Sequence, residues 1–242
     1  MNLDILAIGA HPDDVELSCS GTLMKHIDLG YKVGIIDLTQ GELGTRGTAE
    51  MRLEEAKDAA KIMGVSAREN LGMADGFFRN DKEHQLELIR VIRKYQPEIV
   101  FANAIRDRHI DHGRGSELIS NACFLSGLLK IETFDNGVPQ QHWRPKIVYH
   151  FIQDRYVSPD FVVDITDYND RKMEAIKAYR SQFFNENYEK NSEELQTPIS
   201  GQDFLDFIVS RSREMGRPIG ATYAEGFTVE RTAGVKNIFD LI

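Results

Sequence analysis

Two polar clusters in the sequence carry side chains that could bind a metal ion. The first, residues 11–16, holds one histidine and three acidic residues and follows the apolar run 5–8. The second, residues 106–112, holds two histidines and two aspartates and follows the apolar run 99–102. Imidazole nitrogens and carboxylate oxygens bind zinc-type ions at about 2.0 to 2.2 Å, and catalytic sites commonly use three protein ligands. The two clusters together therefore predict a mononuclear metal site.

Pro12 shapes the first cluster. It has no backbone N–H and a fixed φ, and it disfavours the helical region for the preceding His11. We therefore expect a turn here, rather than an immediate helix, that directs His11 and Asp14 at one centre and leaves Asp13 free for proton transfer. Either cluster alone could equally be a surface histidine beside helix-capping aspartates. Because both clusters follow strands, a shared site is favoured.

Strand and helix patterns alternate along the chain. Buried strands are predicted at 5–8, 33–39, 99–102, 147–152 and 161–163, with a brief extended piece near residue 70. Helices are predicted at 22–29, 48–63, 81–96, 116–130 and 172–182, with a last helix that contains 204–211 and ends at Gly216. This alternation is typical of an α/β fold with a mostly parallel sheet, in which ligands bind at the carboxyl ends of the strands. We predict a single domain over residues 1–242 whose C-terminal part covers the site.

Polar side chains near the predicted site could bind a substrate. Residues 40–47 follow the second strand and include three glycines, so this backbone could approach a ligand closely. Guanidinium groups match carboxylates with paired hydrogen bonds, so Arg46, Arg52 and Arg108 are candidates for an anionic group. Glu42, in the same loop, is a further candidate contact. The alternative for each arginine is a solvated surface position.

The composition excludes several classes of partner. The 242 residues include 29 Lys and Arg against 38 Asp and Glu, a net charge of −9 that does not favour nucleic acid or an anionic membrane. No signal peptide or membrane-spanning stretch is recognisable, so we expect a cytoplasmic protein. The two cysteines, Cys19 and Cys123, are too few for a disulfide framework. Residues 185–200 are polar and are expected to be mobile.

The two clusters resemble the motifs of the LmbE-like family of metal-dependent de-N-acetylases, also named for N-acetylglucosaminyl-phosphatidylinositol deacetylase. The first family motif is similar to Ala-His-Pro-Asp-Asp at 10–14 with Glu16, and the second to His-Ile-Asp-His at 109–112. Ile110 stands where relatives often carry proline, outside the metal-binding positions. Three further stretches resemble the branch that makes bacillithiol, which deacetylates N-acetylglucosaminyl malate: residues 41–47, 52–56 and 216–220.

The resemblance implies a role for each motif residue. His11, Asp14 and His112 would bind Zn²⁺, or another divalent ion such as Fe²⁺. Asp13 would be the general base and His109 would stabilise the oxyanion. The resemblance also implies a Rossmann-like sheet, a small N-acetylglucosamine conjugate with an anionic aglycone as substrate, and a homo-oligomer that in some relatives is a hexamer.

Amide hydrolysis requires a nucleophile, stabilisation of the carbonyl oxygen and a proton for the leaving amine. A metal lowers the pKa of bound water towards about 7, and a carboxylate can take its proton and pass it to the amine. A cationic His109 would donate to the oxyanion. The carboxylate of Asp111 would either hold the His109 ring or cap the next helix, and Glu16 or Asp111 would carry the proton if Asp13 does not.

Three alternatives to this function remain open. The chain could deacetylate another N-acetylglucosamine conjugate. It could be a metal phosphoesterase, a class of enzyme that usually bridges two metal ions about 4 Å apart. It could also be a non-catalytic sugar- or nucleotide-binding module, because fold does not determine function. The number of metal ions bound per chain separates the first two possibilities.

Overall fold

A seven-stranded sheet forms the centre of the protein in the computed structural model, which describes residues 1–190 and 192–241. The strands are β1 (Ile5–Gly9), β2 (Val33–Thr39), β3 (Ala67–Met73), β4 (Ile99–Ala102), β7 (Ile147–Phe151), β8 (Phe161–Asp164) and β9 (Ala224–Val229), and a separate small hairpin contains β5 (Phe134–Asp135) and β6 (Val138–Pro139). The order in the sheet is β3-β2-β1-β4-β7-β9-β8. Strands β1 to β4 and β7 are parallel, whereas β9 is antiparallel to both neighbours. The predicted Rossmann-like α/β fold is confirmed.

Helices cover both faces of this sheet. They are α1 (Asp14–Asp28), α2 (Ala49–Met63), α3 (Lys82–Tyr95), α4 (Ile110–Leu125), α5 (Asn169–Lys177), α6 (Glu186–Glu189) and α7 (Gln202–Gly216). Successive residues of a strand point to opposite faces, so Leu6 and Ile8 pack with α3 and α4, whereas Ile5 and Ala7 pack with α1. No helix in the described ranges has the length and apolar character needed to cross a membrane.

Two helices begin earlier than the sequence pattern predicts. Helix α1 begins at Asp14 rather than at residue 22, and α4 begins at Ile110 rather than at residue 116. The first turns of α1 bury Glu16, Ser18 and Ser20, and these polar residues interrupt the apolar period that marks a helix. The expected turn after β1 is therefore short, and both polar clusters lie at helix N-termini.

Three elements depart most from the prediction: β3 and, in the C-terminal half of the chain, α5 and β9. Strand β9 was not predicted, β3 is longer than the expected extended piece, and α5 spans Asn169–Lys177 rather than 172–182. Glu225, in β9, is 3% exposed and accepts hydrogen bonds from the backbone N–H groups of Gly21 (3.0 Å) and Thr22 (2.7 Å) and from Lys172 Nζ (2.6 Å). A buried carboxylate in β9 thus joins α1, α5 and the sheet.

Two sequence predictions concern ranges that include undescribed residues. The segment 185–200 contains α6, and its Asn191 lies outside the described residues, so its mobility stays a prediction. Residue 242 also lies outside them, and the single domain over 1–242 likewise stays a prediction.

Gly21 gives a test of how tightly α1 packs. A Cβ atom built at Gly21 would lie 2.8 Å from Cδ1 and 2.9 Å from Cβ and Cγ2 of Ile165, a fully buried side chain. Overpacking typically lowers the free energy of unfolding by about 1 to 3 kcal/mol. Replacing glycine by alanine inside a helix raises it by at most about 1 kcal/mol, so the loss is larger. We expect Gly21→Ala to lower the urea midpoint of unfolding. The control is Gly113→Ala in α4, where the nearest atom lies at 3.6 Å and alanine should not destabilise.

Candidate metal centre

The two polar clusters meet at the carboxyl ends of β1 and β4, which are neighbours in the sheet. The chain runs from β1 through β2 to β3 on one side and then crosses to β4 on the other, and ligands bind at such a reversal of strand order. A cavity of about 420 Å³ opens at this point. Its walls include residues of both clusters and of the C-terminal part: His11, Asp13, Asp14, Arg52, Asp75, Arg108, His109, His112, Gln153, Phe204, Ile208 and Arg211.

The three predicted metal ligands converge at the base of this cavity. Asp14 Oδ1 lies 3.1 Å from His112 Nε2, and Asp14 Oδ2 lies 3.7 Å from His11 Nδ1. Each of the three residues is less than a tenth exposed. His109 is close enough that His11, His109 and His112 offer ring nitrogens within 4.8 Å of one another. Nitrogen and oxygen donors at this spacing fit a zinc-type ion, with His109 as a neighbour or an alternative ligand.

Polar residues outside the predicted set hold these ligands in place. Asp14 accepts hydrogen bonds from Asn103 Nδ2 and Gln153 Nε2, both at 2.9 Å, and Asp107 Oδ2 lies 2.5 Å from His112 Nδ1. Burial alone would raise the pKa of Asp14, but the two imidazoles lower it well below its usual range. The sequence analysis did not identify Asn103 and Gln153 as site residues. Each closely follows a strand, and this position could have indicated that they lie near the site.

Asp13 is held by Arg52 in an unusual backbone conformation. Its φ is 120°, a region that residues other than glycine rarely adopt and that often marks a functional site. Asp13 Oδ2 accepts a hydrogen bond from Arg52 Nη2 at 2.5 Å. Burial raises the pKa of Asp13 to about 6, against the opposing effect of the Arg52 charge. Arg52 is 7% exposed, so it is neither a solvated arginine nor a free site for a substrate anion.

His109 precedes α4 and faces the cavity. Its Nδ1 accepts a hydrogen bond from the backbone N–H of Asp111 at 3.3 Å, so the neutral ring carries its proton on Nε2. Burial lowers the pKa of His109, and the neighbouring His11 and His112 lower it further. The structure therefore favours a neutral His109, in contrast to the cationic form expected from the sequence.

One of the two roles predicted for the Asp111 carboxylate was to hold the His109 ring. The structure does not show this contact. The carboxylate accepts hydrogen bonds from the backbone N–H of Gly76 and from Arg114 Nη1, both at 2.8 Å, and lies 3.4 Å from His11 Nε2. The hydrogen bond between Asp111 and His109 is made by the backbone N–H of Asp111. The carboxylate of Asp111 thus lies beside His11, one of the predicted metal ligands.

Three other predicted residues are not among those that line the cavity. Arg46 is buried and paired with Glu189 at 2.5 Å, Glu42 accepts a hydrogen bond from the backbone N–H of Asp75 at 2.8 Å, and Glu16 is paired with Arg68 at 2.5 Å. These contacts give the three residues structural roles. The geometry does not support substrate binding by Arg46 or Glu42, or proton transfer by Glu16.

Two arginines line the cavity in addition to Arg52. Arg108 has about half of its side chain exposed, and its Nε donates to Asp154 at 2.7 Å. Arg211, in α7, was missed as a site residue; it donates to the backbone carbonyls of Gln153 and Leu17, and burial lowers its pKa to about 10. The cavity therefore has positive charge on its wall in addition to the predicted metal ligands.

Comparisons with known proteins agree with this geometry. A sequence model of the PIG-L family, described as GlcNAc-PI de-N-acetylase, matches residues 6–123. Diacetylchitobiose deacetylase of Thermococcus kodakarensis is 30% identical over 191 residues, which are 74% of this chain and 70% of that protein. The 4-oxalmesaconate hydratase of Pseudomonas putida is 27% identical over 202 residues, which are 73% of each chain.

Solved structures share the whole fold. A conserved protein from Thermus thermophilus superposes with a TM-score of 0.83 at 33% identity, over 97% of this chain and 98% of that one. The N,N'-diacetylchitobiose deacetylase from Pyrococcus horikoshii superposes with a TM-score of 0.77 at 27% identity, over 98% of this chain and 88% of that one. Together with the two motifs at the cavity, these similarities show that the chain belongs to the PIG-L, or LmbE-like, family.

Proposed function

We propose that this chain is a zinc-dependent deacetylase that removes the acetyl group of an N-acetylglucosamine conjugate. The observation that carries the proposal is the convergence of His11, Asp13, Asp14, His109 and His112 on one cavity. Similarity to two relatives, a diacetylchitobiose deacetylase and the mycothiol S-conjugate amidase of Streptomyces coelicolor, supports hydrolysis of an amide bond. N-acetylglucosaminyl malate, the substrate of bacillithiol biosynthesis, is the conjugate that we assign.

His11, Asp14 and His112 would hold the metal ion. Two imidazoles and one carboxylate are a common donor set for catalytic zinc. When bound, the ion supplies Lewis acidity and a lower pKa for water. Asn103 and Gln153 keep the carboxylate of Asp14 oriented between the two imidazoles through their 2.9 Å hydrogen bonds.

Asp13 is the proton carrier in this proposal. It lines the cavity next to the ligands, and Arg52 holds its carboxylate in one orientation. A pKa of about 6 lets Asp13 accept a proton near neutral pH and return it to the leaving amine.

His109 is the donor to the carbonyl oxygen. Because its Nδ1 accepts the Asp111 backbone N–H, its Nε2–H is available to the cavity even when the ring is neutral. Loss of one such donor typically costs about 3 to 4 kcal/mol of transition-state stabilisation.

A comparison of two substrates tests whether the enzyme recognises an anionic aglycone. Malate carries two carboxylates, and Arg108 and Arg211 supply positive charge on the cavity wall. We expect N-acetylglucosaminyl malate to be deacetylated with a clearly higher kcat/KM than free N-acetylglucosamine, measured by the release of free amine. Arg108→Ala should reduce this preference, and equal values for the two substrates in the unmodified enzyme would contradict it.

The same assay separates the alternatives. Preferred turnover of a different N-acetylglucosamine conjugate would change the aglycone but keep the reaction. Binding without turnover would indicate a sugar-binding module, and two zinc ions per chain with phosphate release would indicate a phosphoesterase. Hydration of 4-oxalmesaconate, without deacetylation, would instead indicate the activity of the hydratase relative. A homo-oligomer as large as a hexamer and a cytoplasmic location stay predictions, and analytical ultracentrifugation tests the first.

A further inference from the structure

The two ring nitrogens of His11 face different groups. Nδ1 faces Asp14, at 3.7 Å, which is the side of the proposed metal. Nε2 points the other way and lies 3.1 Å from Asp75 Oδ1 and 3.4 Å from Asp111 Oδ2. Asp75 is 6% exposed and Asp111 is fully buried. His11 Nε2 and the two carboxylates could form a second metal site. Alternatively, the two carboxylates could be acceptors for the N–H of His11.

The other contacts of the two carboxylates favour the second explanation. Asp75 Oδ2 accepts the backbone N–H of Leu43 at 3.0 Å. Asp111 accepts the backbone N–H of Gly76 and Arg114 Nη1, both at 2.8 Å, so its charge already has a cationic partner. A metal here would also bind His11 on the nitrogen opposite Asp14, and an imidazole bound to metals through both nitrogens must lose its last proton. One N–H shared between two fixed acceptors needs no such loss.

We propose that Asp75 and Asp111 are positioning residues that accept the Nε2–H of His11 and so leave Nδ1 unprotonated for the metal. A metal-bound histidine commonly donates its other N–H to a carboxylate, which fixes the tautomer and the ring orientation. The proposal rests on the proposed function only in treating His11 as a metal ligand. Glu42 contributes indirectly, because it accepts the backbone N–H of Asp75 at 2.8 Å and so fixes the loop after β3.

Variants at Asp75 separate this role from the loss of a charge. Asp75→Ala removes the acceptor, and its zinc affinity should fall about 10- to 100-fold, the usual effect of losing such a partner. Asp75→Asn keeps a carbonyl oxygen that can accept the N–H, so its loss should be smaller. Asp154→Ala is the control, because it removes one negative charge from the cavity wall without any contact to His11, and its zinc affinity should change little.

The experiment measures zinc and tautomer in the full-length protein without substrate. Zinc affinity and stoichiometry come from competition with a chromophoric chelator, and ¹⁵N NMR of the zinc-loaded protein identifies the protonated nitrogen of His11. We expect one zinc per chain and a proton on Nε2. Unchanged affinity in Asp75→Ala, or a His11 proton on Nδ1, would overturn the proposal. A second zinc that disappears in Asp75→Ala would make Asp75 a ligand and overturn it as well.

Two further comparisons keep the test decisive. If Asp75→Ala does not fold by circular dichroism, Asp75→Leu and Asp111→Leu, which keep a side chain of similar shape without an acceptor, carry the test: weaker zinc binding than in Asp154→Ala supports the proposal, and equal binding overturns it. Neither readout requires turnover. A substrate panel without any deacetylation would therefore defeat the proposed function while leaving the zinc affinities and the tautomer to decide the role of Asp75.

Discussion

Replacing His112 with alanine should leave the purified protein with little bound zinc and no measurable deacetylation. Its Nε2 lies 3.1 Å from Asp14, and Asp107 holds the opposite nitrogen at 2.5 Å, so both ring nitrogens have assigned partners. A site of three protein ligands cannot keep its geometry with two. His11→Ala and Asp14→Ala should also lose both zinc and activity. Metal analysis measures the bound zinc, and the free-amine assay measures the activity.

The matched control for this prediction is His142→Ala, which removes an exposed histidine that is not among the residues lining the cavity. It should keep its zinc and its activity. A His112→Ala protein that retains one zinc per chain would exclude His112 from the ligands, and His109, whose ring nitrogen belongs to the same group, would take its place.

Asp13→Asn should separate catalysis from metal binding. The amide oxygen can still accept the hydrogen bond from Arg52, and asparagine tolerates the positive φ of 120° better than most residues. An amide cannot accept a proton from water, so kcat should fall about 10² to 10⁴-fold, the usual contribution of a general base. Zinc content and substrate affinity should change little. Steady-state kinetics, metal analysis and substrate titration measure these three quantities.

Glu16→Gln is the matched control, a carboxylate replaced by an amide in the same cluster. Glu16 is paired with Arg68 in the interior, so this change should lower stability while the folded fraction keeps its kcat. An Asp13→Asn enzyme with near-normal kcat would end the general-base assignment. The proton would then have to be carried by another cavity residue.

The convergence of the two polar clusters could be predicted because its information is local. His11 and Asp14 lie three positions apart in one turn, and the parallel arrangement of β1 and β4 brings the second cluster to the same edge of the sheet. The alternation of apolar runs was sufficient to predict that arrangement. Residue type, spacing and the position after a strand were therefore sufficient to predict that the two clusters would meet at one cavity, whereas their role as metal ligands stays a prediction.

The partners of these residues could not be predicted in the same way. Arg52 and Asp13 are 39 positions apart, and His11 and Asp75 are 64 apart, so only the folded chain shows that they are paired. The sequence pattern also gave no means to distinguish Arg46 from Arg52, although the two face different partners. Strand β9 was missed because Glu225 and Gly226 interrupt its apolar run, and Glu225 is buried only because α1 and α5 supply its donors.

The carboxylate of Glu225 has a consequence for the order in which the site matures during synthesis. It bonds to Gly21, 204 positions earlier, in the middle of the helix that begins at Asp14. A contact of this sequence separation cannot form until the chain as far as Glu225 has left the ribosome, and such topologies fold slowly. The turn that contains His11 and Asp14 is therefore synthesised long before the strand whose carboxylate fixes the helix that follows it.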